Sequence, residues 1–247
     1  MNNLLWLTAP YVAFTSFVVG HVWRYRTDQF GWTTRSSQIY ESRLLQMGSP
    51  LFHFGLLGVF GGHVMGLLVP ESWTSAVGIS EKVYHLMAVT MGSLAGFAVV
   101  AGLAILLYRR IAVSAVRKAT SRSDKLMYLM LAGALVTGML NTLTNVFATY
   151  NYRETVSPWF RSLFSVHPEP GLMANTPWTF QAHALIVLAL LAIWPYTRLV
   201  HMFSAPVGYL VRPYVVYRSR DPQKAPSHRY AKAWVTPDAP PARSRWV

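Results

Sequence analysis

Five long apolar stretches constrain this chain more than any other feature. They lie at approximately 3–23, 51–70, 84–108, 126–149 and 179–204. A helix needs roughly 20 predominantly apolar residues to cross the hydrocarbon core of a bilayer, and each stretch is about that long. Only 13% of the 247 residues are charged and 53% are hydrophobic, whereas a soluble domain carries about 25% charged residues. The expected fold is an all-α membrane protein with five transmembrane helices and short polar loops, without an internal repeat. Residues 1–220 read as one transmembrane domain and 221–247 as a polar, Pro- and Arg-rich tail. The first stretch, Asn3 to Trp23, lacks the charged start and small-residue cleavage site of a signal peptide. It reads as a retained helix.

The charges orient the bundle. The loop after the first span carries Arg24, Arg26, Arg35 and Arg43, and the loop after the third carries Arg109, Arg110, Arg117, Lys118, Arg122 and Lys125. Eight more Lys and Arg lie beyond residue 204, and Arg198 sits near the end of the fifth span. The two remaining loops hold only Lys82, Arg153 and Arg161, a split of 19 against 3. Positive loops stay in the cytoplasm, so the N-terminus is expected outside and the C-terminus inside. The net charge of +13 then reflects topology, and nucleic acid is excluded as a partner. No Asp or Glu falls in an expected span, which argues against a carboxylate proton relay in the bilayer.

The chain has no cysteine, so disulfides, thiolate-bound iron–sulfur clusters and Cys-x-x-Cys-His haem attachment are excluded. Histidines stand out instead. The second span, Leu51-Phe52-His53-Phe54-Gly55-Leu56-Leu57-Gly58-Val59-Phe60-Gly61-Gly62-His63, carries two imidazoles ten residues apart. The fifth carries His183 and His201, eighteen apart. The second span runs outward and the fifth inward. His53 therefore matches His201 in depth near the cytoplasmic face, and His63 matches His183 nearer the outside. Two neutral imidazole nitrogens leave a haem iron no open position, which makes an electron carrier. Four histidines at mirrored depths point to two b haems.

The spacings do not match ideally. Ten residues of helix rise about 15 Å and eighteen about 27 Å, and an iron–iron distance of about 20 Å lies between them. Tilt, ring reach and a kink at Pro195 are the expected reconciliation. Gly55, Gly58, Gly61, Gly62 and Gly66 either admit a flat macrocycle or form a small-residue packing face. His21 reads as an interfacial residue, His85 as a group near the outer haem, and His167 and His228 as solvated. Arg198 and Arg43 are the candidates for contacts to the propionates of the inner haem. The loop 150–178, with Pro158, Trp159, Pro168, Pro170, Pro177 and Trp178, reads as turns and interfacial aromatics.

These residues resemble the cytochrome b, or gamma, subunit of respiratory membrane-bound nitrate reductase. The resemblance rests on the His53–His63 run and on Trp23-Arg24-Tyr25 followed by Gln29, Trp32 and Ser36-Ser37-Gln38. It rests also on Arg198-Leu199-x-His201-x-x-Ser204-x-Pro206-Val207-x-Tyr209-Leu210-x-Arg212-x-Tyr214. It covers about 1–220. It implies five helices and two b haems in a prokaryotic cytoplasmic membrane: a distal haem on His63 and His183, and a proximal haem on His53 and His201. It implies oxidation of a quinol, menaquinol or ubiquinol, near the distal haem, with protons released outside. Electrons pass inward to an iron–sulfur beta subunit and a molybdenum alpha subunit that reduces nitrate to nitrite. No catalytic residue for nitrate is then expected in this chain. The family's quinol site implies Gly62 and His63 plus a lysine at the start of the third span. Leu86 stands at that lysine's place, with Lys82 and His85 nearby as the expected quinol contacts. The alternatives are a diheme cytochrome b of another quinone-linked complex, of heterodisulfide or sulfite reductase type, and a non-redox transporter or scaffold glued by histidines.

Overall fold

The computed structural model describes residues 2–147, 150–165, 167–204, 208 and 211–213. Two compact units are present, Met1–Ala205 and Pro206–Val247. The expected tail 221–247 and His228 lie outside the described residues. Five helices of the first unit are long and apolar enough to cross a membrane: α1 (Leu4–Thr27), α2 (Arg43–Leu68), α3 (Glu81–Ala112), α4 (Arg122–Thr144) and α5 (Trp178–Tyr196). No strand occurs among the described residues. Between 11% and 22% of each helix's apolar window is buried within the chain, so most apolar side chains point outward, as a bilayer solvent requires.

Every span shifts by a few residues from the sequence reading, α3 widening to 81–112 and α4 ending at 144, and three of the shifts have a plain local cause. α2 begins at Arg43, not near 51, because its polar first turns are helical and continue through Pro50. α4 begins at Arg122 rather than 126. Ser121 accepts from the Asp124 N–H while Asp124 accepts from the Ser121 N–H, a capping box that satisfies two orphan donors. Asp124 thus lies at the helix mouth, not within the hydrocarbon. The largest difference is in α5, where Pro195 does more than kink the helix. Regular α-helix ends at Ile193, a 3₁₀ turn covers Trp194–Tyr196, Thr197 is extended, and a second 3₁₀ segment covers Arg198–Ser204. Proline has no N–H and clashes with the preceding turn, so the backbone leaves the helix.

That break is braced from both sides. Arg24 of α1 donates to Pro195 O at 2.6 Å, to Thr197 O at 2.8 Å and to Gly31 O at 2.8 Å. The carbonyls that the lost helix frees therefore regain partners. A Cβ on Gly20 would lie 2.8 Å from Pro195, so glycine lets α1 approach the break. On the other side Arg198 forks onto Asp124, Nε to Oδ1 at 2.7 Å and Nη2 to Oδ2 at 2.5 Å.

The most extensive packing is between α2 and α3, followed by α4 with α5, α1 with α5, and α3 with α4. The α2–α3 seam is built on glycine. A Cβ on Gly102 would lie 2.5 Å from Phe52 N, one on Gly55 2.8 Å from Val99, and one on Gly48 3.2 Å from Gly102 O. Small residues let membrane helices approach closely. At the cytoplasm-facing end of the expected topology, Arg109, 2% exposed, donates to Glu41, Ser37 and the Ser37 and Glu41 carbonyls. The opposite end is capped by the loop between α4 and α5. There Trp159 Nε1 donates to Trp6 O, and Trp6, Trp159, Leu163 and Met173 form a core. Trp159 is therefore a buried cap residue rather than an interfacial anchor, whereas Trp178 is exposed.

Two outcomes follow. Gly102→Ala should destabilise the protein in detergent by about 1–3 kcal/mol, since backbone cannot yield to the added methyl. Gly92→Ala on the same helix, whose methyl meets only Thr142 at 3.6 Å, should leave the unfolding midpoint near wild type. The second outcome concerns pH. Desolvation pushes the Glu41 carboxyl up, but the Leu44 N–H and the Arg109 guanidinium outweigh it and hold the carboxyl below its usual value of 4.5. A depressed carboxyl stabilises the fold above its unfolded value and loses that contribution as pH falls through the folded one. Glu41→Gln should lower thermal stability at pH 7, and the gap to wild type should close as pH drops below 4.5.

Candidate functional site

The four membrane histidines meet in two pairs across the space between α2 and the chain that starts with α5. The rings of His53 and His201 are 6.2 Å apart, centroid to centroid, with planes at 71°. Those of His63 and His183 are 6.0 Å apart at 30°. The rise mismatch disappears because the eighteen residues from His183 to His201 are not one helix. Only the part to Ile193 is α-helical, and His201 is carried by the 3₁₀ segment after the break. His21 joins neither pair; its Nδ1 donates to Phe17 O at 2.6 Å and its ring packs on Phe17 and Phe203. His167 is exposed.

Each paired histidine has its Nδ1 anchored. His53 Nδ1 lies 2.7 Å from Ser49 O, His63 Nδ1 2.8 Å from Val59 O, and His201 Nδ1 2.5 Å from Arg198 O. A carbonyl only accepts, so Nδ1 carries the proton in each. His183 is held differently, 3.1 Å from the Thr137 hydroxyl of α4. That hydroxyl donates to Gly133 O at 2.8 Å, which leaves its lone pairs to accept from His183 Nδ1–H. In all four rings Nε2 is then the free lone pair, and it makes no hydrogen bond to a described residue. This is the arrangement of metal-ligating histidine, whose second nitrogen donates to a carbonyl or similar group.

The donor set fits a bis-histidine haem. Metal–nitrogen bonds of about 2 Å on opposite sides, plus the ring radii, place two imidazole centroids roughly 6 Å apart. No three His, Cys, Asp or Glu side chains converge among the described residues. Each pair thus offers two nitrogens, the number an iron held otherwise by a planar macrocycle would need from the protein. The glycines of α2 divide between the two uses expected of them. Gly55 and Gly58 pack on Val99 and Ala95 of α3, and Gly66 on Tyr152, whereas a Cβ on Gly61 or Gly62 would meet no atom within 4 Å. On α4, a Cβ at Gly138 would lie 3.0 Å from the His183 ring. Thr137 and Gly138 carry no histidine signal, and a polar–glycine pair inside an apolar run is the only sequence trace they leave.

Of the expected propionate contacts, Arg198 has its guanidinium on Asp124 and on Thr34 O, and Arg43 is exposed. Of the expected quinol contacts, Lys82 and His85 line a cleft of about 220 Å³ together with Glu81, Tyr84, Tyr150 and Tyr152. Gly62 and His63 are not in its lining. The connection runs through Gly66, in the π-helical turn Val64–Leu68 after His63, which packs on Tyr152. The exposed Leu86 stays outside the lining. Sequence reading missed the wall behind this cleft. Arg153, 3% exposed, donates to Glu81 at 2.9 Å and to Thr74 at 3.0 Å and stacks on the Tyr84 ring at 3.9 Å. The Tyr84 and Tyr152 hydroxyls are 3.3 Å apart. Burial above all, and then the Tyr84 hydroxyl, push the Tyr152 phenol far up, and burial raises Tyr150. Both phenols stay neutral at physiological pH.

Residues 2–220 match the family described as nitrate reductase gamma subunit. The chain is 55% identical over 224 residues to the nitrate reductase-like protein NarX of Mycobacterium tuberculosis, covering 90% of this chain but 34% of that protein. It therefore spans about a third of that relative's length. It is 47% identical over 220 residues to the nitrate reductase gamma chain of Bacillus subtilis, covering 89% of this chain and 99% of the relative. It is 32% identical over 226 residues to the respiratory nitrate reductase 2 gamma chain of Escherichia coli, covering 89% and 98%.

The cleft wall makes its own prediction. Arg153→Gln removes the guanidinium that ties Glu81, Thr74 and Tyr84 together and should cost about 1–3 kcal/mol, the scale for losing charge-assisted hydrogen bonds at a partly exposed carboxylate. Proteolysis of the loop between α4 and α5 should accelerate in parallel.

Proposed function

Because the chain belongs to the nitrate reductase gamma subunit family, we propose that it is the quinol-oxidising diheme cytochrome b of a respiratory nitrate reductase complex. The observation that carries the reading is the two facing histidine pairs, each with Nδ1 anchored and Nε2 free. His53 and His201 hold the proximal haem b, and His63 and His183 the distal one. A haem b held by two imidazoles supplies one-electron oxidation and reduction without an open coordination site.

The rest of the assignment follows from the chain's own residues. The positive loops support a topology with the His53–His201 pair toward the cytoplasm and the His63–His183 pair outward. Lys82 and His85 face the cleft at the outer end and hydrogen-bond the quinol oxygens. The neutral phenols of Tyr150 and Tyr152 wall that cleft without adding charge. Oxidising quinol there and delivering electrons at the other end separates charge across the membrane, worth about 2.3 kcal/mol per charge per 100 mV. Oxidation of the quinol to quinone gives two electrons to the inward path and two protons that leave outside from the cleft, so no intramembrane carboxylate is needed. The basic inner end faces the iron–sulfur beta subunit, and beyond it the molybdenum alpha subunit reduces nitrate to nitrite. The protein resides in the cytoplasmic membrane of a prokaryote. Arg43, exposed on the first turn of the helix that carries His53, and Arg198, three residues before His201, are the cations for propionate contact.

A reduced-minus-oxidised spectrum of the purified complex should show a b-type band, and potentiometry two midpoints. His63→Ala or His183→Ala should abolish one midpoint, and His53→Ala or His201→Ala the other. A complex without a b-type band from haem-replete cells overturns the assignment. Loss of the same centre by His63→Ala and His201→Ala overturns the pairing.

A further inference from the structure

Three of the four paired histidines are anchored by a carbonyl three or four residues earlier in their own segment. His183 alone is held from another helix, by the Thr137 hydroxyl with the Ala134 carbonyl of the same turn beside it. Its Nδ1 lies 3.1 Å from Thr137 Oγ1, and Thr137 is itself oriented by donating to Gly133 O at 2.8 Å. One residue on, a Cβ at Gly138 would stand 3.0 Å from His183 Cε1 and 3.4 Å from Nδ1. α4 therefore both grips the imidazole and leaves space for it. From this contrast we propose that Thr137 is the positioning residue of the outer redox centre, setting the ring orientation and electron-donor strength of His183. The proposal rests on His183 being an axial haem ligand.

The physical consequence has a definite sign. A donor bond from Nδ1–H to an acceptor raises the basicity of the other ring nitrogen. A more basic axial nitrogen stabilises the ferric over the ferrous state. Taking the acceptor away weakens that donation, so the midpoint of the outer centre moves upward. The inner centre is unaffected, because its two ligands lean on backbone carbonyls that no side-chain change at α4 touches. α4 also carries no ligand of its own, so a change there alters the setting of His183 without deleting a bond to iron.

The test uses the whole complex with Thr137→Val, which keeps the shape and removes the hydroxyl, and Thr137→Ser, which keeps the hydroxyl and removes a methyl. Potentiometric titration and low-temperature electron paramagnetic resonance read both centres. The expected result for Thr137→Val is an upward shift of the outer midpoint and an altered outer low-spin signal. The inner midpoint stays fixed, and Thr137→Ser stays close to wild type. Selective loss of the outer haem in Thr137→Val with retention in Thr137→Ser also supports the role. An unchanged outer midpoint and signal in a fully loaded Thr137→Val complex overturns it, and so does equal damage by Val and Ser, which would mark the site as packing. A wild-type complex without any b-type band defeats the haem reading itself, and that failure is visible before any variant is made.

Discussion

In the core of a bilayer no water replaces a missing hydrogen bond, and this constraint organises the whole chain. Every polar atom that enters the hydrocarbon must bring its partner with it. The hydroxyls of Thr90, Thr137, Thr142 and Thr144 fold back onto carbonyls of their own helices. The histidines obey the same rule with one nitrogen only. Nδ1 is committed within the protein and Nε2 is not, so each ring is half satisfied by the fold and lies about 6 Å from its opposite number. A histidine serving as interhelical glue would spend both nitrogens on the chain, and none of the four does.

The same constraint explains the arginines at the two ends of the bundle. Arg24, Arg109 and Arg153 are almost fully buried, and each gathers acceptors that would otherwise be stranded where helices stop. Arg24 closes the break at Pro195. Arg109 ties the loop before α2 to the end of α3, and Arg153 ties the cap to the start of α3 through Glu81. Their partners lie between 68 and 173 residues away in sequence for the tertiary contacts. Isolated ion pairs contribute little net stability. These contribute by fixing where irregular backbone sits, and irregular backbone is what presents His201.

The contrast between legible and illegible features has a physical basis. The five spans were readable because a bilayer demands length and apolarity, both of which are local properties of sequence. That His53 faces His201 and His63 faces His183 was readable as well, because the second and fifth spans run antiparallel and so mirror the order of their histidines. What failed to show was anything set by contact between distant segments. Pro195 announced a bend, but whether it bends or ends the helix depends on Arg24 being there to donate to the freed carbonyls and on Gly20 leaving room for the proline ring. The glycines of α2 supported two readings, and only α3 decides which are seam and which are open. Thr137 and Gly138 were invisible, since nothing local distinguishes a back-bonded threonine from one that also receives a neighbour's N–H.

The two histidine pairs are consequently not equivalent halves of one device. The inner pair is bound to backbone on both sides, with His201 on a segment locked by Arg24 and by Arg198 on Asp124. Its geometry is as rigid as the chain's own hydrogen bonding. The outer pair has one ring held by its own helix's backbone and one held from α4, where the Thr137 hydroxyl meets it. It also adjoins a π-helical turn whose freed carbonyls, Gly66 O and Leu67 O, are taken by Ser157 and Arg161 of the cap. A widened turn of this kind recurs at functional sites, and it joins His63 to the wall of the cleft through Gly66 and Tyr152. The pair beside the cleft thus mixes backbone with side-chain support, while the other pair is held by backbone carbonyls, a difference that on the proposed reading suits a site a small molecule enters at one end and a fixed electron exit at the other.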